Sequence, residues 1–196
     1  MDWSIHYDDS TYTLSIPGFF NDPLVNLPHD VKKIIFKDSN GGIILSQFNQ
    51  PISKGMLPES LTYLTFGWCF NQPINEGTLP NSITHLTLGG GFNKSLDILP
   101  TSLVYLTLDY YYNSLQISNL PEHVSNVKIN FGLSRRLCDS ISPHIKHLTL
   151  NFCRFANDYD EPISNLPYGL EELIIEGKHK KDLVKKVPFG CKVIFK

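Results

Sequence analysis

Apolar residues recur along this chain in triplets that occupy the first, fourth and sixth positions of a short window. In one window, Leu61, Leu64 and Phe66 are apolar, and polar residues alternate with the last two. Alternation with a period of two is typical of a β-strand that buries one face. Six further triplets have the same spacing: Val31/Ile34/Phe36, Ile83/Leu86/Leu88, Leu103/Leu106/Leu108, Val124/Val127/Ile129, Ile145/Leu148/Leu150 and Leu170/Leu173/Ile175. The pattern therefore predicts seven short strands.

A Leu-Pro pair precedes these triplets at regular intervals. The pairs are Leu27-Pro28, Leu57-Pro58, Leu79-Pro80, Leu99-Pro100, Leu120-Pro121 and Leu166-Pro167, with Val187-Pro188 as a weaker copy. Ile141 takes the leucine's place in one unit, where Pro143 comes one residue late. The intervals are 30, 22, 20, 21, 21, 25 and 21 residues. A period near 22 predicts a solenoid, because each coil can bury its apolar face only against its neighbours.

A second motif, Phe-Asn-x-Pro-Ile, follows each of the earlier strands. Its copies are Phe20–Leu24, Phe48–Ile52, Phe70–Ile74, Phe92–Leu96 and the shortened Tyr112-Asn113. Gly, Asn and Pro at this density exclude a helix, so we expect an extended return leg with room for a short second strand. The aromatic residues should stack inward from coil to coil. The asparagines should satisfy backbone groups at the corner.

These motifs predict an all-β, leucine-rich-repeat-like solenoid with coils of 21 to 22 residues, a parallel sheet of short strands and little helix. With 196 residues and 41% hydrophobic content, the chain can form one continuous domain. We divide it into an N-terminal cap and partial repeat (1–26), seven repeats (27–186) and a C-terminal partial repeat and cap (187–196).

The combined pattern, Leu-Pro…Leu-x-x-Leu-x-Phe…Phe-Asn-x-Pro-Ile, resembles the FNIP repeat family, a relative of leucine-rich repeats found in social amoebae and large DNA viruses of protists. The resemblance covers roughly residues 20 to 190 and weakens in the later units. The weaker copies are Leu133–Leu137, Tyr159–Ile163 and His179–Leu183. Viral relatives often carry a helical F-box ahead of the repeats. Here only 26 residues precede Leu27, and Tyr12–Ile16 alternates like a strand, so we expect no F-box.

Composition and charge narrow the classes of partner. The net charge of -2 gives no global attraction to nucleic acid. No apolar run approaches a membrane span, and the first residues do not resemble a signal peptide. Cys69, Cys138, Cys153 and Cys191 lack zinc-site spacing and are expected to be small buried residues in a reducing compartment. We therefore predict a cytoplasmic protein, in the host cytoplasm if viral, without cofactor, metal, nucleic acid or membrane.

Outward positions of stacked strands form columns, and one column is rich in aromatic residues. It contains Tyr63, His85 and Tyr105, continues to Asn126, and lies beside Thr65 and Thr87. The predicted binding surface is this set of six residues, on the concave strand face of the solenoid. The alternative is that large flat residues simply suit a strand surface.

Catalysis has weaker support in the sequence. Asp109 and Glu172 fall three coils apart, about 14 Å, which is too far for a carboxylate pair acting on one bond. His85 and His147 are also three coils apart. We therefore predict a non-enzymatic module that binds a protein partner, from the host cell or the virus. The alternatives are a carbohydrate-binding solenoid and a structural remnant of an F-box adaptor.

Two insertions and a lysine cluster lie outside the repeat pattern. One insertion falls within Asp38–Gln47 and includes Ile43, Ile44 and Leu45, and the other falls around Phe155–Asp160. Each is either a binding loop or neutral drift. Seven lysines occupy the last nineteen residues. We interpret them as a solvated end coil that blocks edge pairing rather than as a phosphate-binding patch.

Overall fold

A ten-stranded β-sheet runs through the computed structural model, which describes residues 3–38, 45–110, 117–131, 141–152, 162–177 and 181–196. Its strands are β1 (Tyr7–Asp8), β2 (Thr13–Ile16), β3 (Lys33–Phe36), β4 (Tyr63–Thr65), β5 (His85–Leu88), β6 (Tyr105–Tyr110), β7 (Asn126–Phe131), β8 (His147–Phe152), β9 (Glu172–Glu176) and β10 (Lys192–Phe195). Short 3₁₀ helices span Trp3–His6 and Lys181–Leu183.

Several of the expectations above fall outside the described residues. These are the copies Tyr112-Asn113 and Leu133–Leu137, residues 159–161 and 178–180 of the last two copies, the insertion residues Ile43, Ile44 and Phe155–Asp160, and Cys138 and Cys153.

The strands pair in chain order, and β2 to β10 are parallel. Only β1 is antiparallel, and it pairs with β2 at the N-terminal edge. Successive coils lie about 21 residues apart over about seven turns. The predicted fold class, an all-β parallel solenoid of the leucine-rich-repeat type, is confirmed.

Each Leu-Pro pair begins a tight turn that leads into a strand. In one turn the N–H of Leu61 donates to the carbonyl of Pro58 at 3.1 Å, and in another the N–H of Leu103 donates to that of Pro100 at 2.9 Å. Proline suits this place because its carbonyl accepts while its ring fixes the backbone before the strand. The residue that closes each of these turns is fully buried. The pair thus sets the point at which each strand begins.

Serine hydroxyls tie each of three turns to the preceding coil. The hydroxyls of Ser60, Ser82 and Ser102 donate to the backbone carbonyls of Val31, Leu61 and Ile83 at 2.7, 2.6 and 2.7 Å. These carbonyls belong to the residues that close the previous turns. Each bond pairs a backbone group that a turn leaves without a sheet partner.

The predicted aromatic stack runs through the core at the corner after each strand. Phe20, Phe48, Phe70 and Phe92 are nearly parallel, with ring centroids 6.1, 6.0 and 6.2 Å apart. Trp3 packs edge-on against Phe20 at 5.4 Å and covers the N-terminal end of the stack. Aromatic pairs at these separations add to the free energy gained from burial alone.

The asparagines of the same motif form a ladder beside the phenylalanines. The side-chain oxygens of Asn21, Asn49 and Asn71 accept the backbone N–H of Asn49, Asn71 and Asn93 at 2.8, 2.8 and 2.9 Å. The Gln72 amide donates to the Asn49 carbonyl at 2.9 Å, as the Gln50 amide does to that of Asn21. The expected role of asparagine at the corner is thus seen directly: it bonds the equivalent residue of the next coil.

The return legs differ from expectation in one respect. In the part of the chain that the structure describes, they contain no strand, and their only ladder contact is an isolated bridge between Ile163 and Val184. The reason is the motif itself, since proline cannot donate to a ladder and the Asn and Gln side chains already hold the coils together.

Two glycines are buried at positions where strand alternation predicts outward residues. The outward column that the alternation predicts contains Lys37, Gly67, Gly89, Asp109, Asn130, Asn151 and Glu176. A Cβ on Gly67 would overlap Ser46, and a Cβ on Gly89 would overlap the carbonyl of Gly67. Adjacent coils approach so closely here that only glycine fits. This column is therefore interrupted between Lys37 and Asp109.

We expect Asn49→Ala to destabilise the solenoid by about 1–2 kcal/mol, because the partly buried N–H of Asn71 loses its acceptor. Urea denaturation measures this. Asn81→Ala is the matched control, since Asn81 is exposed in a turn and its loss should cost less than about 0.5 kcal/mol. Equal effects of the two substitutions would contradict a structural role for the ladder.

Candidate interaction surface

Three neighbouring strands bring the predicted aromatic residues into one row. Tyr63 of β4 lies in register with His85 of β5, which lies in register with Tyr105 of β6. The next residue of each strand is a leucine in the core, so strand alternation directs the aromatic side chains outward. We call Tyr63, His85 and Tyr105 the Tyr–His–Tyr stack.

The three rings of the stack are packed face to face. The His85 ring lies 4.0 Å from the Tyr63 ring at an interplanar angle of 20°, and 4.5 Å from the Tyr105 ring at 15°. Both faces of the imidazole are therefore covered. Tyr63 and Tyr105 remain 41% and 47% exposed. The stack presents to solvent mainly ring edges and polar ring atoms.

The neighbours of His85 favour its neutral form. Its Nδ1 lies 2.9 Å from the Thr84 hydroxyl, which can donate to it or accept from it. Partial burial lowers the pKa of His85 below its ordinary value of 6.5, because a charged imidazole is less well hydrated between two rings.

The remaining predicted residues border the stack. Asn126 follows Tyr105 in register, and its amide donates to the Ser125 hydroxyl at 3.1 Å. Thr65 and Thr87 are paired with each other in the adjacent column and are partly buried. At the other end, the Lys33 ammonium lies 5.7 Å from the centre of the Tyr63 ring. All six predicted residues thus lie on one face of the sheet.

A polar network that we did not predict continues this face. The Asn130 amide donates to the Asp109 carboxylate at 2.6 Å, and the Asn151 amide donates to the Asn130 side-chain oxygen at 2.9 Å. Lys128 and Glu176 form an ion pair at 2.7 Å. Burial raises the pKa of Asp109, and the Asn130 bond partly offsets this rise. The signal was available in the sequence, because Asp109, Asn130, Asn151 and Glu176 occupy equivalent positions of successive strands and Lys128 lies in the adjacent column.

The described residues hold no group of three or more His, Cys, Asp and Glu side chains able to bind a metal ion. Nor do they include a helix long and apolar enough to cross a membrane. Cys69 and Cys191 are partly exposed rather than buried, which corrects our expectation, and desolvation raises the pKa of both thiols.

A shallow cleft of about 640 Å³ lies away from the Tyr–His–Tyr stack. Turns and return legs line it, with Lys54, Glu59 and Glu76 contributing charges of both signs and Ile98 an apolar edge. None of the six predicted residues lines it.

We expect an NMR titration of the wild type to place the pKa of His85 below 6.5. In the double variant Tyr63→Ala/Tyr105→Ala, the pKa of His85 should rise toward 6.5, because removing the rings rehydrates the imidazole. Between the folded pKa and 6.5 the unfolded chain binds more protons, so the stability contributed by His85 falls as the pH drops through this window. An unchanged pKa in the double variant would show that the tyrosines do not desolvate His85.

We expect Asp109→Asn to stabilise the protein at pH 7 by on the order of 1 kcal/mol, because an amide keeps the Asn130 bond without burying a charge. Because the pKa of Asp109 is raised in the folded protein, the wild type loses stability as the pH rises through that pKa. The stability gained by Asp109→Asn should therefore vanish below pH 3.8. Thermal denaturation at both pH values measures this. The exposed Asp97→Asn serves as the control.

Two comparisons with known proteins found a match. Residues 48–91 match the FNIP Repeat family model. The solved structures include CroV588, a circular LRR protein from a giant virus, which is 25% identical in sequence with a TM-score of 0.49. That match covers 88% of this chain and 28% of CroV588, so the chain spans little more than a quarter of that protein's length. A search of curated proteins gave no match. The segment 48–91, which contributes β4, β5 and part of the Phe and Asn ladders, is thus similar to the FNIP repeat family.

Proposed function

We propose that this solenoid is a protein-interaction scaffold and that its sheet face, centred on the Tyr–His–Tyr stack, docks a host or viral partner protein. The observation that carries the proposal is the stack itself, in which two half-exposed tyrosines are fixed on the two strands that flank the strand of one histidine. FNIP and leucine-rich-repeat-like solenoids are generally non-enzymatic scaffolds, which agrees with this role.

The rigidity of the stack favours binding. An exposed tyrosine normally loses rotational freedom when a partner covers it, and that loss weakens the complex. Here each ring is already held by its neighbour in the stack, and the strands beneath are bonded to strands on both sides. Tyrosine is also among the residues that contribute most to binding free energy at protein interfaces.

Ring spacings support a concave shape for this face. The rings of the stack lie 4.0 and 4.5 Å apart, whereas the buried phenylalanines at the corner lie about 6 Å apart from coil to coil. Hydrogen-bonded strands are about 4.8 Å apart. Coils that are narrower at the sheet face than in the interior are wedge-shaped. A stack of such coils curves so that its narrow side, the sheet face, is concave.

The orientation of the rings favours a protein over a sugar as the ligand. Sugars bind aromatic residues by lying flat on a ring face, but both faces of His85 and the inner faces of the two tyrosines are already stacked. The exposed edges and the tyrosine hydroxyls suit hydrogen bonds and edge contacts to backbone and side chains of a partner protein.

The proposal predicts that Tyr63→Ala/Tyr105→Ala abolishes partner binding while the solenoid stays folded. Partner proteins are first captured from lysate by the wild type. Each purified candidate is then titrated against both forms, and its affinity should fall about a hundredfold or more in the variant. Circular dichroism confirms that the variant is folded.

Phe19→Ala/Ile98→Ala is the matched control, because both side chains are exposed but lie outside the sheet, and it should leave the affinity unchanged. A signal on a glycan array that the tyrosine variant loses would support the carbohydrate alternative instead. A double variant that unfolds would show that the stack is structural. Empty captures, together with an empty glycan array, would favour the structural-remnant alternative.

A further inference from the structure

One exposed position recurs in every turn that precedes a strand from β3 to β10. Each turn is closed by a backbone hydrogen bond of 2.9 to 3.4 Å, and its second residue points away from the core and is exposed. The second residues, in order, are His29, Glu59, Asn81, Thr101, Glu122, Pro143, Tyr168 and Phe189. Six coils thus place a polar residue or proline here, and the last two place an aromatic residue.

The two aromatic residues are unusually exposed. Tyr168 is 85% exposed and Phe189 is 107% exposed, which is as much as in an unfolded peptide. This exposure does not result from the last coil lacking a neighbour, because the same position is exposed in every interior coil. Tyr168 moreover lies in a coil that has neighbours on both sides.

The turns hold both residues in fixed positions. The N–H of Leu170 donates to the Pro167 carbonyl at 3.1 Å, and the N–H of Cys191 donates to the Pro188 carbonyl at 3.2 Å. The turn that carries Phe189 lies one residue nearer its strand than the other turns do. Gly190, with φ of +80°, permits this turn. Phe189 therefore projects from a closed turn and not from a loose end.

Among the described residues, the segment before the Phe189 turn carries exposed positive charge. Lys185 and Lys186 are exposed and directly precede the Phe189 turn, and the Lys185 N–H is anchored to the Ile163 carbonyl at 3.1 Å. The carboxylates of the nearby strand β9 are already paired. Their ion pairs are Glu171 with Lys146, Glu172 with Lys192 and Glu176 with Lys128. Asp182 is exposed and is the remaining described acid near this segment.

We propose that Tyr168, Phe189, Lys185 and Lys186 form a site that docks the solenoid onto the surface of an anionic lipid bilayer. Phenylalanine and tyrosine rings partition into the interface between headgroups and acyl chains, while lysine ammonium groups bind lipid phosphates. The docking is peripheral, and it leaves the Tyr–His–Tyr stack free because that stack belongs to β4, β5 and β6. This proposal departs from our interpretation of the lysine cluster as a solvated end coil and from our expectation of no membrane partner.

A bilayer fits these observations better than nucleic acid does. Bases stack on aromatic rings that lie flat along a basic groove, whereas these two side chains project from turns. The chain as a whole is slightly acidic, which opposes binding to a long polyanion but not local contact with lipid phosphates. A bilayer also needs no shape complementarity beyond two protruding rings.

The test is co-sedimentation of the full chain with vesicles of phosphatidylcholine alone or with phosphatidylserine added. We expect binding to the anionic vesicles, weakened by salt, and little binding to the neutral ones. Tyr168→Ser/Phe189→Ser should lower the partition coefficient about tenfold or more, and Lys185→Gln/Lys186→Gln should lower both binding and its dependence on salt. Phe19→Ser is the matched control, because Phe19 is an exposed aromatic residue at the opposite end of the sheet and should not contribute.

A second measurement places the contact within the chain. Phe189→Trp should be quenched by brominated lipids, whereas Thr101→Trp, at the same turn position of an interior coil, should not. The proposal is overturned if anionic vesicles do not bind, if the serine variant binds as well as wild type, or if both tryptophans are quenched equally. Binding of a single-stranded oligonucleotide but not of vesicles would also overturn it, in favour of nucleic acid.

Discussion

The contact between equivalent residues of successive coils is the constraint on which this structure depends. A single coil has no core of its own, so each buried leucine, phenylalanine and asparagine must meet its counterpart one coil away. The Asn49 oxygen that accepts the Asn71 N–H, and the Phe48 ring that stacks on Phe70, satisfy this requirement in the same motif. Register is therefore fixed twice, by the sheet on one side and by the corner ladder on the other.

The same constraint determines how surfaces form. Because the coils are in register, an outward residue has as its neighbour the residue at the same position of the next coil. A change at one position in two or three successive repeats therefore creates a patch, as in the Tyr–His–Tyr stack on the sheet and at Tyr168 and Phe189 on the turns. The core can stay constant while each outward column varies independently.

The periodicity of the sequence was sufficient to predict the seven strands β3 to β9, their parallel order, the phenylalanine stack and the members of the aromatic row, but not the antiparallel strand β1. It could not predict how side chains turn within a column. Whether Tyr63 and His85 stack or diverge depends on side-chain rotamers, and whether Gly67 is outward or buried depends on how closely two coils approach. The Asp109–Asn130–Asn151 network was missed for a related reason, because sharing a column does not show which side chains within it bond to each other.

The orientation of the rings decides what the sheet face can recognise. An aromatic row whose faces were all open would accept sugars or bases, but stacking covers both faces of His85 and the inner faces of the two tyrosines. At the turns the opposite holds, because the Tyr168 and Phe189 side chains project almost fully into solvent and can enter an apolar medium. In our two proposals, similar residue types therefore bind in different ways according to their place in the coil: by hydrogen bonding on the strands and by partitioning into a bilayer at the turns.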